Sequence, residues 1–280
     1  MYMKPRFARK GEGGDLPRMT NIKKGIYVLP SLLTSLSLLA GFYSLIATLN
    51  GDFTNAAWAI LVSGIFDGLD GRVARLTHST TKFGVEYDSL SDVIAFGVAP
   101  GILLYWWAFR PLGRWGWLAG FLYVACGAIR LARFNVQVNT VESKYFQGLP
   151  IPAAAGLVAT VIIFLYHVGI EPQMVQIPLL IIAYLLAFLM VSTVKFNSFK
   201  DLQLARRKPF NAVIVVLLLI FFIVSAPQIM LFSLCFAYVL SGPTTQVVHM
   251  FKKRQTVAAA PGESAQTRVE TKHGWQKIKP

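Results

Sequence analysis

Residues 67–92 read DGLDGRVARLTHSTTKFGVEYDSLSD, joining the end of one apolar run to the start of the next. The preceding run closes at Phe66 and the following one opens at Val93, so Asp67, Asp70, Asp88 and Asp92 fall at the inner ends of two helices expected to cross a bilayer. On insertion scales an aspartate in mid-membrane costs about 2.5–3.5 kcal/mol, and such residues face a partner or a wet cavity rather than lipid. Four carboxylates on two neighbouring helices call for a shared partner, and a divalent metal ion is the first choice.

Working outward, 55% of the 280 residues are hydrophobic and 14% are charged. The apolar runs are too many and too long for one soluble core, which predicts an all-α polytopic membrane protein. A helix needs roughly 20 mostly apolar residues to cross the hydrocarbon layer. Eight stretches qualify, at 28–49, 55–76, 93–109, 115–133, 151–170, 177–194, 211–225 and 228–248. Only Ala226, Pro227 and Gln228 separate the last two, so one long kinked helix is the alternative there. The second span reaches full length only by continuing through Asp67 and Asp70. The domain reading is a transmembrane unit over residues 25–251 between two basic tails, 1–24 and 252–280, expected to be mobile. A short amphipathic surface segment near residues 21–27 is the alternative for the end of the first tail. No internal repeat and no inserted soluble domain is expected.

Cytoplasmic loops of membrane proteins carry the excess of Lys and Arg. With eight spans and both termini inside, 25 of the 27 basic residues fall on the cytoplasmic side and only Arg110 and Arg114 fall outside. That split predicts an inner-membrane protein whose acidic motif faces the cytoplasm. The net charge of +14 sits in short loops and tails, where attraction to anionic lipid headgroups accounts for it and no nucleic-acid partner is expected. Cys126 and Cys235 both lie within expected spans, as buried apolar thiols rather than a disulfide. No small-residue cleavage site follows the first apolar run, so it reads as a retained helix.

Within the motif, helical spacing of i, i+3, i+4 and i+7 puts Asp67, Asp70, Gly71 and Ala74 on one stripe with Arg75 at its border. Gly84, Asp88 and Asp92 form a second stripe at i, i+4 and i+8. Carboxylate oxygens are the hard ligands of Mg2+ and Mn2+, and Mg2+ commonly takes substrate phosphates as further ligands. Gly71 and Gly84 leave backbone bare for a nucleotide, and Arg75 offers a planar fork to phosphate. Together these features point to a pyrophosphate-bearing substrate. Two plainer alternatives are an ion network of the aspartates with Arg72, Arg75 and Lys82, and small residues kept only for close helix packing. His78 reads as a surface loop residue.

The pattern Asp67, Asp70, Gly71, Ala74, Arg75, Gly84, Asp88, Asp92 resembles the complete signature of the CDP-alcohol phosphotransferases, with every position filled. The resemblance implies an integral-membrane helical core, usually dimeric, that transfers a substituted phosphate from a CDP-linked donor to an alcohol and releases CMP. It further implies that Asp67, Asp70, Asp88 and Asp92 hold two metal ions and that Asp92 accepts the alcohol proton. Gly71, Arg75 and Thr81 match positions that contact the CDP part of the donor, and Ala74 and Gly84 are assigned to the same site.

A second stretch, CGAIRLARFNV at 126–136, precedes FQGLPIP at 146–152. Arg130 and Arg133 stand one turn apart where the fourth span meets the cytoplasm, suited either to anchoring or to gripping a carboxylate bidentately. RLARFN followed by GLPIP is similar to the bacterial integral-membrane phosphatidylserine synthases, and the similarity runs from about Lys24 to Phe251. It implies CDP-diacylglycerol as donor and L-serine as acceptor, with Arg130, Arg133, Phe134 and Asn135 assigned to serine. Gly148 and Pro150 are expected to shape the start of the fifth helix. The competing expectations are glycerol 3-phosphate or inositol as acceptor, and, from a different class, a divalent-cation transporter.

Overall fold

A computed structural model of the chain describes residues 20–138, 146–196 and 224–258, together with 217 and 221. Most of the two expected tails and of the seventh expected span, 211–225, lies outside the described residues. Among the described residues seven helical rods follow one another: α1 (Thr20–Leu49), α2 (Phe53–Leu76), α3 (Lys82–Leu112), α4 (Arg114–Val138), α5 (Ile151–Val168), α6 (Pro172–Val191) and α7 (Pro227–Ala258). Among them, α1, α3, α4, α5, α6 and α7 each contain a stretch long and apolar enough to cross a membrane, six in all. α2 is a continuous 24-residue helix whose last three turns carry Asp67, Asp70, Arg72 and Arg75, which lowers its hydropathy without breaking its backbone ladder. Residues 224 and 225 are helical, Ala226 is a bend and Pro227 opens α7.

α1 starts at Thr20 and α7 continues to Ala258, each reaching past the apolar stretch it contains. Hydropathy marks where lipid ends, whereas a helix propagates for as long as its backbone bonds are made. The fold is all-α, as expected, and one two-residue antiparallel ladder, β1 (Phe146–Gln147) with β2 (Lys195–Phe196), links its helices. Beside it Gly148 N donates to Val194 O at 2.9 Å and Leu149 N to Leu189 O at 3.0 Å. This extended link enters the buried core, so its polar backbone must find partners within the protein. Gly148 has φ +81, and a Cβ there would stand 2.3 Å from Met190 O, so only glycine fits.

Short links dictate the helix directions. Gly51 at φ +80 and Asp52, which accepts from Asn55 N at 3.2 Å, turn α1 straight into α2. The hairpin is tied by reciprocal bonds, Ser37 Oγ to Ser63 O at 3.1 Å and Ser63 Oγ to Ser37 O at 2.9 Å. Small residues let the backbones approach closely, as membrane helices require. α5 runs through the middle, with Ala154, Ala155, Ala159 and Ile162 all buried, and packs against α2 on one side and α7 on the other.

Candidate metal and nucleotide site

α2 descends to Leu76, turns through residues 77–81, and α3 rises from Lys82. His78 takes the left-handed conformation, φ +53, in that turn and is exposed, as a loop residue should be. Thr81 caps α3 by accepting from Gly84 N at 3.0 Å. Because the two helices return past each other, the stripe on α2 faces the stripe on α3. Carboxylate oxygens of Asp67, Asp70 and Asp88 come within 4.8 Å of one another. Asp92, one turn further along α3 and 9% exposed, is in hydrogen-bonding contact with Asp67.

Four carboxyl groups in such proximity, Asp70 and Asp92 buried and Asp67 and Asp88 half-buried, need positive charge between them. Among the described residues no ion pair joins them to Arg72, Arg75 or Lys82, so the network that would neutralise them internally is not formed. Three oxygen donors that meet at one point, with no ion pair to Arg72, Arg75 or Lys82 among the described residues, fit a hard divalent cation.

The carboxylates are held from behind by α1. The Thr34 hydroxyl lies 2.8 Å from Asp70 Oδ2 and 3.1 Å from Pro30 O. Its single proton can serve only one of them, and the bond to a carboxylate is the shorter and stronger. Ser91 Oγ donates to Thr34 O at 3.3 Å, and Ser35 Oγ pairs with Tyr87 Oη at 2.9 Å, so the same turn of α1 grips both α2 and α3. Thr34 and Ser35 were not singled out by the motif. The only signal for them is a pair of hydroxyls within an apolar span.

In front of the carboxylates lies a cleft of about 130 Å³ lined by Pro30, Thr34, Asp70, Gly71, Ala74, Ser79, Thr81, Gly84 and Asp88 among others. Gly71 has open space where a Cβ would stand, whereas at Gly84 the Thr81 hydroxyl would be 3.1 Å away. Gly71, Ala74, Thr81 and Gly84 therefore share one wall system, with the exposed Arg75 one residue beyond Ala74 on α2.

The second sequence stretch divides. Arg130 is 8% exposed and within electrostatic reach of Asp92. Arg133 extends toward Val191 O at 3.5 Å, and Asn135 Nδ2 donates to Ser89 Oγ at 3.0 Å, beside Asp88. Phe134 is exposed.

With this geometry in place, the CDP-alcohol phosphatidyltransferase profile matches residues 27–191, which include all four aspartates and all of α2 to α5. The chain belongs to the CDP-alcohol phosphatidyltransferase family. Membership makes it a transferase whose family uses divalent metals, in agreement with the chemistry of the donor set. Among curated members of the family, CDP-diacylglycerol–serine O-phosphatidyltransferase of Helicobacter pylori is 43% identical over 198 residues, covering 70% of this chain and 80% of that protein. Archaetidylserine synthase of Methanothermobacter thermautotrophicus is 46% identical over 143 residues, 49% of this chain and 59% of that protein. CDP-diacylglycerol–serine O-phosphatidyltransferase of Saccharomyces cerevisiae is 39% identical over 140 residues, 45% of this chain and 50% of that protein.

Proposed function

We propose that this protein transfers the phosphatidyl group of CDP-diacylglycerol to the hydroxyl of L-serine, forming phosphatidylserine and CMP. The observation that carries the transfer chemistry is the meeting of Asp67, Asp70 and Asp88 within 4.8 Å beside the bare backbone of Gly71. The acceptor is supported by the relatives, whose names all contain serine as the alcohol joined to lipid.

In this reading Asp67, Asp70, Asp88 and Asp92 would hold two ions of Mg2+ or Mn2+, which when bound supply neutralisation of charge on the phosphates and the departing CMP. The chain's own groups position and accept. Gly71, Ala74, Arg75, Thr81 and Gly84 receive the CDP part, while the diacylglycerol chains remain between helices in lipid. Arg130, with Arg133, Phe134 and Asn135, holds serine so that its hydroxyl points at the phosphorus. Asp92 takes the hydroxyl proton as the serine oxygen bonds to phosphorus and the bond from phosphorus to the CMP oxygen breaks. The requirement on the protein is alignment of these groups rather than a covalent intermediate.

The distribution of Lys and Arg supports a bacterial inner-membrane location with the site and both termini on the cytoplasmic side, where nucleotide and amino acid are dissolved. Arg110 stacked 4.9 Å over the Trp106 ring, with Trp115 and Trp117 nearby in sequence, suits the opposite interface. A homodimer is part of the same reading. The test supplies purified protein with CDP-diacylglycerol and Mg2+ or Mn2+, and with serine, glycerol 3-phosphate or inositol in parallel. CMP release with serine alone is expected, and release with another acceptor alone would reassign the alcohol.

A further inference from the structure

The cleft beside the carboxylates is layered. Thr34 of α1, Asp70 of α2 and Asp88 of α3 line one level of it, and Ser31, Ala74 and Gly84 on the same three helices line the level about one turn nearer the 77–81 link. Ser79 closes the cleft at the link itself, buried, with its N–H bonded to Ala74 O at 3.1 Å. A CDP-linked donor puts its phosphates at the carboxylate level and its lipid part toward the bilayer. The nucleoside then extends along the cleft toward Ser79.

The hydroxyls of the link differ in what they can offer a ligand. Thr77 Oγ donates to Val73 O at 2.7 Å and lies 2.6 Å from Ser79 Oγ. A carbonyl only accepts, so the Thr77 proton belongs to Val73 and the contact between the two hydroxyls takes its proton from Ser79. Ser79 Oγ has no other partner among the described residues. Its oxygen therefore meets the cleft with lone pairs alone. Thr81 is the opposite case, since its oxygen accepts from Gly84 N at 3.0 Å and its proton is left to give.

We infer that Ser79 is a specificity-determining residue for the base of the donor: its oxygen, whose proton is held by Thr77, accepts a hydrogen bond from the exocyclic amine of cytosine and turns away uracil. The inference rests on the reading of the donor as a CDP-linked lipid. Cytosine presents an amine N–H where uracil presents a carbonyl oxygen. Against Ser79 the carbonyl would set acceptor against acceptor with no proton between them, in a place too buried for water to mend the mismatch. Sites built around one such bond reject the analogue that cannot make it. Thr77 is a positioning residue in this scheme, acting through the Ser79 proton.

The test gives purified full-length wild type, Ser79→Ala, Thr77→Val and the double variant CDP-diacylglycerol or UDP-diacylglycerol with Mg2+ and serine, and measures CMP or UMP release. Wild type should strongly favour the cytidine donor in kcat/KM. Ser79→Ala should raise the KM for CDP-diacylglycerol about tenfold and narrow the preference by the same factor, with the serine KM and the elution profile in detergent unchanged. Thr77→Val frees the Ser79 proton to meet the uracil carbonyl, so it should narrow the preference by improving use of UDP-diacylglycerol, a gain that the double variant should lack. A Ser79→Ala protein of unchanged preference overturns the inference. Equal losses with both donors do so as well, because the oxygen then serves the ribose or the link. Should Ser79→Ala fail to fold, an unchanged preference in Thr77→Val decides against the inference. Wild type that uses both donors equally overturns this inference alone. Glycerol 3-phosphate or inositol replaces serine if wild type uses one of those instead, so a wrong acceptor does not touch the result. Wild type that releases no nucleotide with any of the three overturns the transfer reading and this inference with it.

Discussion

Tyr123 Oη donates to the backbone carbonyl of Phe96 at 3.2 Å, and both residues are buried. Four residues after Phe96 comes Pro100, which has no N–H to offer the carbonyl that an α-helix would pair with it. α3 accommodates this proline by widening into a π-helical turn over Val93–Val98, directly after Asp92. Tyr123 reaches across from α4 and supplies the missing donor. The irregular turn that follows the proposed base is therefore fixed by a neighbouring helix.

Removing that donor should be felt in stability. Tyr123→Phe keeps the ring and leaves the Phe96 carbonyl without its partner from α4, which should destabilise the protein by about 1 kcal/mol. A lowered thermal midpoint in detergent, with the half-buried Tyr184→Phe as the comparison, checks this. An unchanged midpoint would mean that water or the π turn already satisfies the carbonyl.

Thr34 bonds Asp70 at 2.8 Å from behind the carboxylate cluster. Thr34→Val preserves shape and deletes the hydroxyl, and losses of this kind of supporting bond commonly cost about 10–100-fold in metal affinity. The Mg2+ or Mn2+ concentration giving half-maximal activity should rise by that order, with activity recovered at high metal. Unaltered metal dependence would show that Thr34 serves only packing.

Asp92→Asn removes the proposed proton acceptor while keeping volume and should lower kcat by on the order of 10²–10⁴-fold. Asp88→Asn should instead act chiefly on metal dependence, since Asp88 stands in the three-carboxylate group and Asp92 one turn beyond it. Both proteins should elute as wild type in detergent. Near-normal turnover of either would remove its assigned role.

Chelation gives a prediction independent of any substitution. Excess EDTA should abolish CMP release without changing the helical circular-dichroism signal, and added Mg2+ or Mn2+ should restore it. The cluster stands on two helices, α2 and α3, both already tied to α1 through Thr34, Ser91 and Tyr87, so the fold does not depend on the ion.

Gly148→Ala should be among the more damaging single-methyl additions. Its left-handed backbone costs a Cβ-bearing residue about 1–2 kcal/mol, before the collision with Met190 O is counted. Loss of folded protein after detergent extraction is the expected result, whereas Gly51→Ala, also at positive φ but with open space around it, should be milder.

What the sequence determined alone is whatever depends on neighbours along the chain. Hydropathy over roughly 20 residues sets the helical class, and helical spacing puts Asp67 with Asp70 and Asp88 with Asp92 on common faces, because both follow from one backbone periodicity. The glycines of the motif were legible for the same reason. Partnerships between distant segments were not. Thr34 meets Asp70 across 36 residues and Tyr123 meets Phe96 across 27, and neither hydroxyl differs in local sequence from one that merely bonds its own helix. The three- and four-residue spacings of the aspartates wrote the carboxylate-bearing faces into the chain, but which side chains stand behind and opposite them was decided only when close-packed helices brought them into contact.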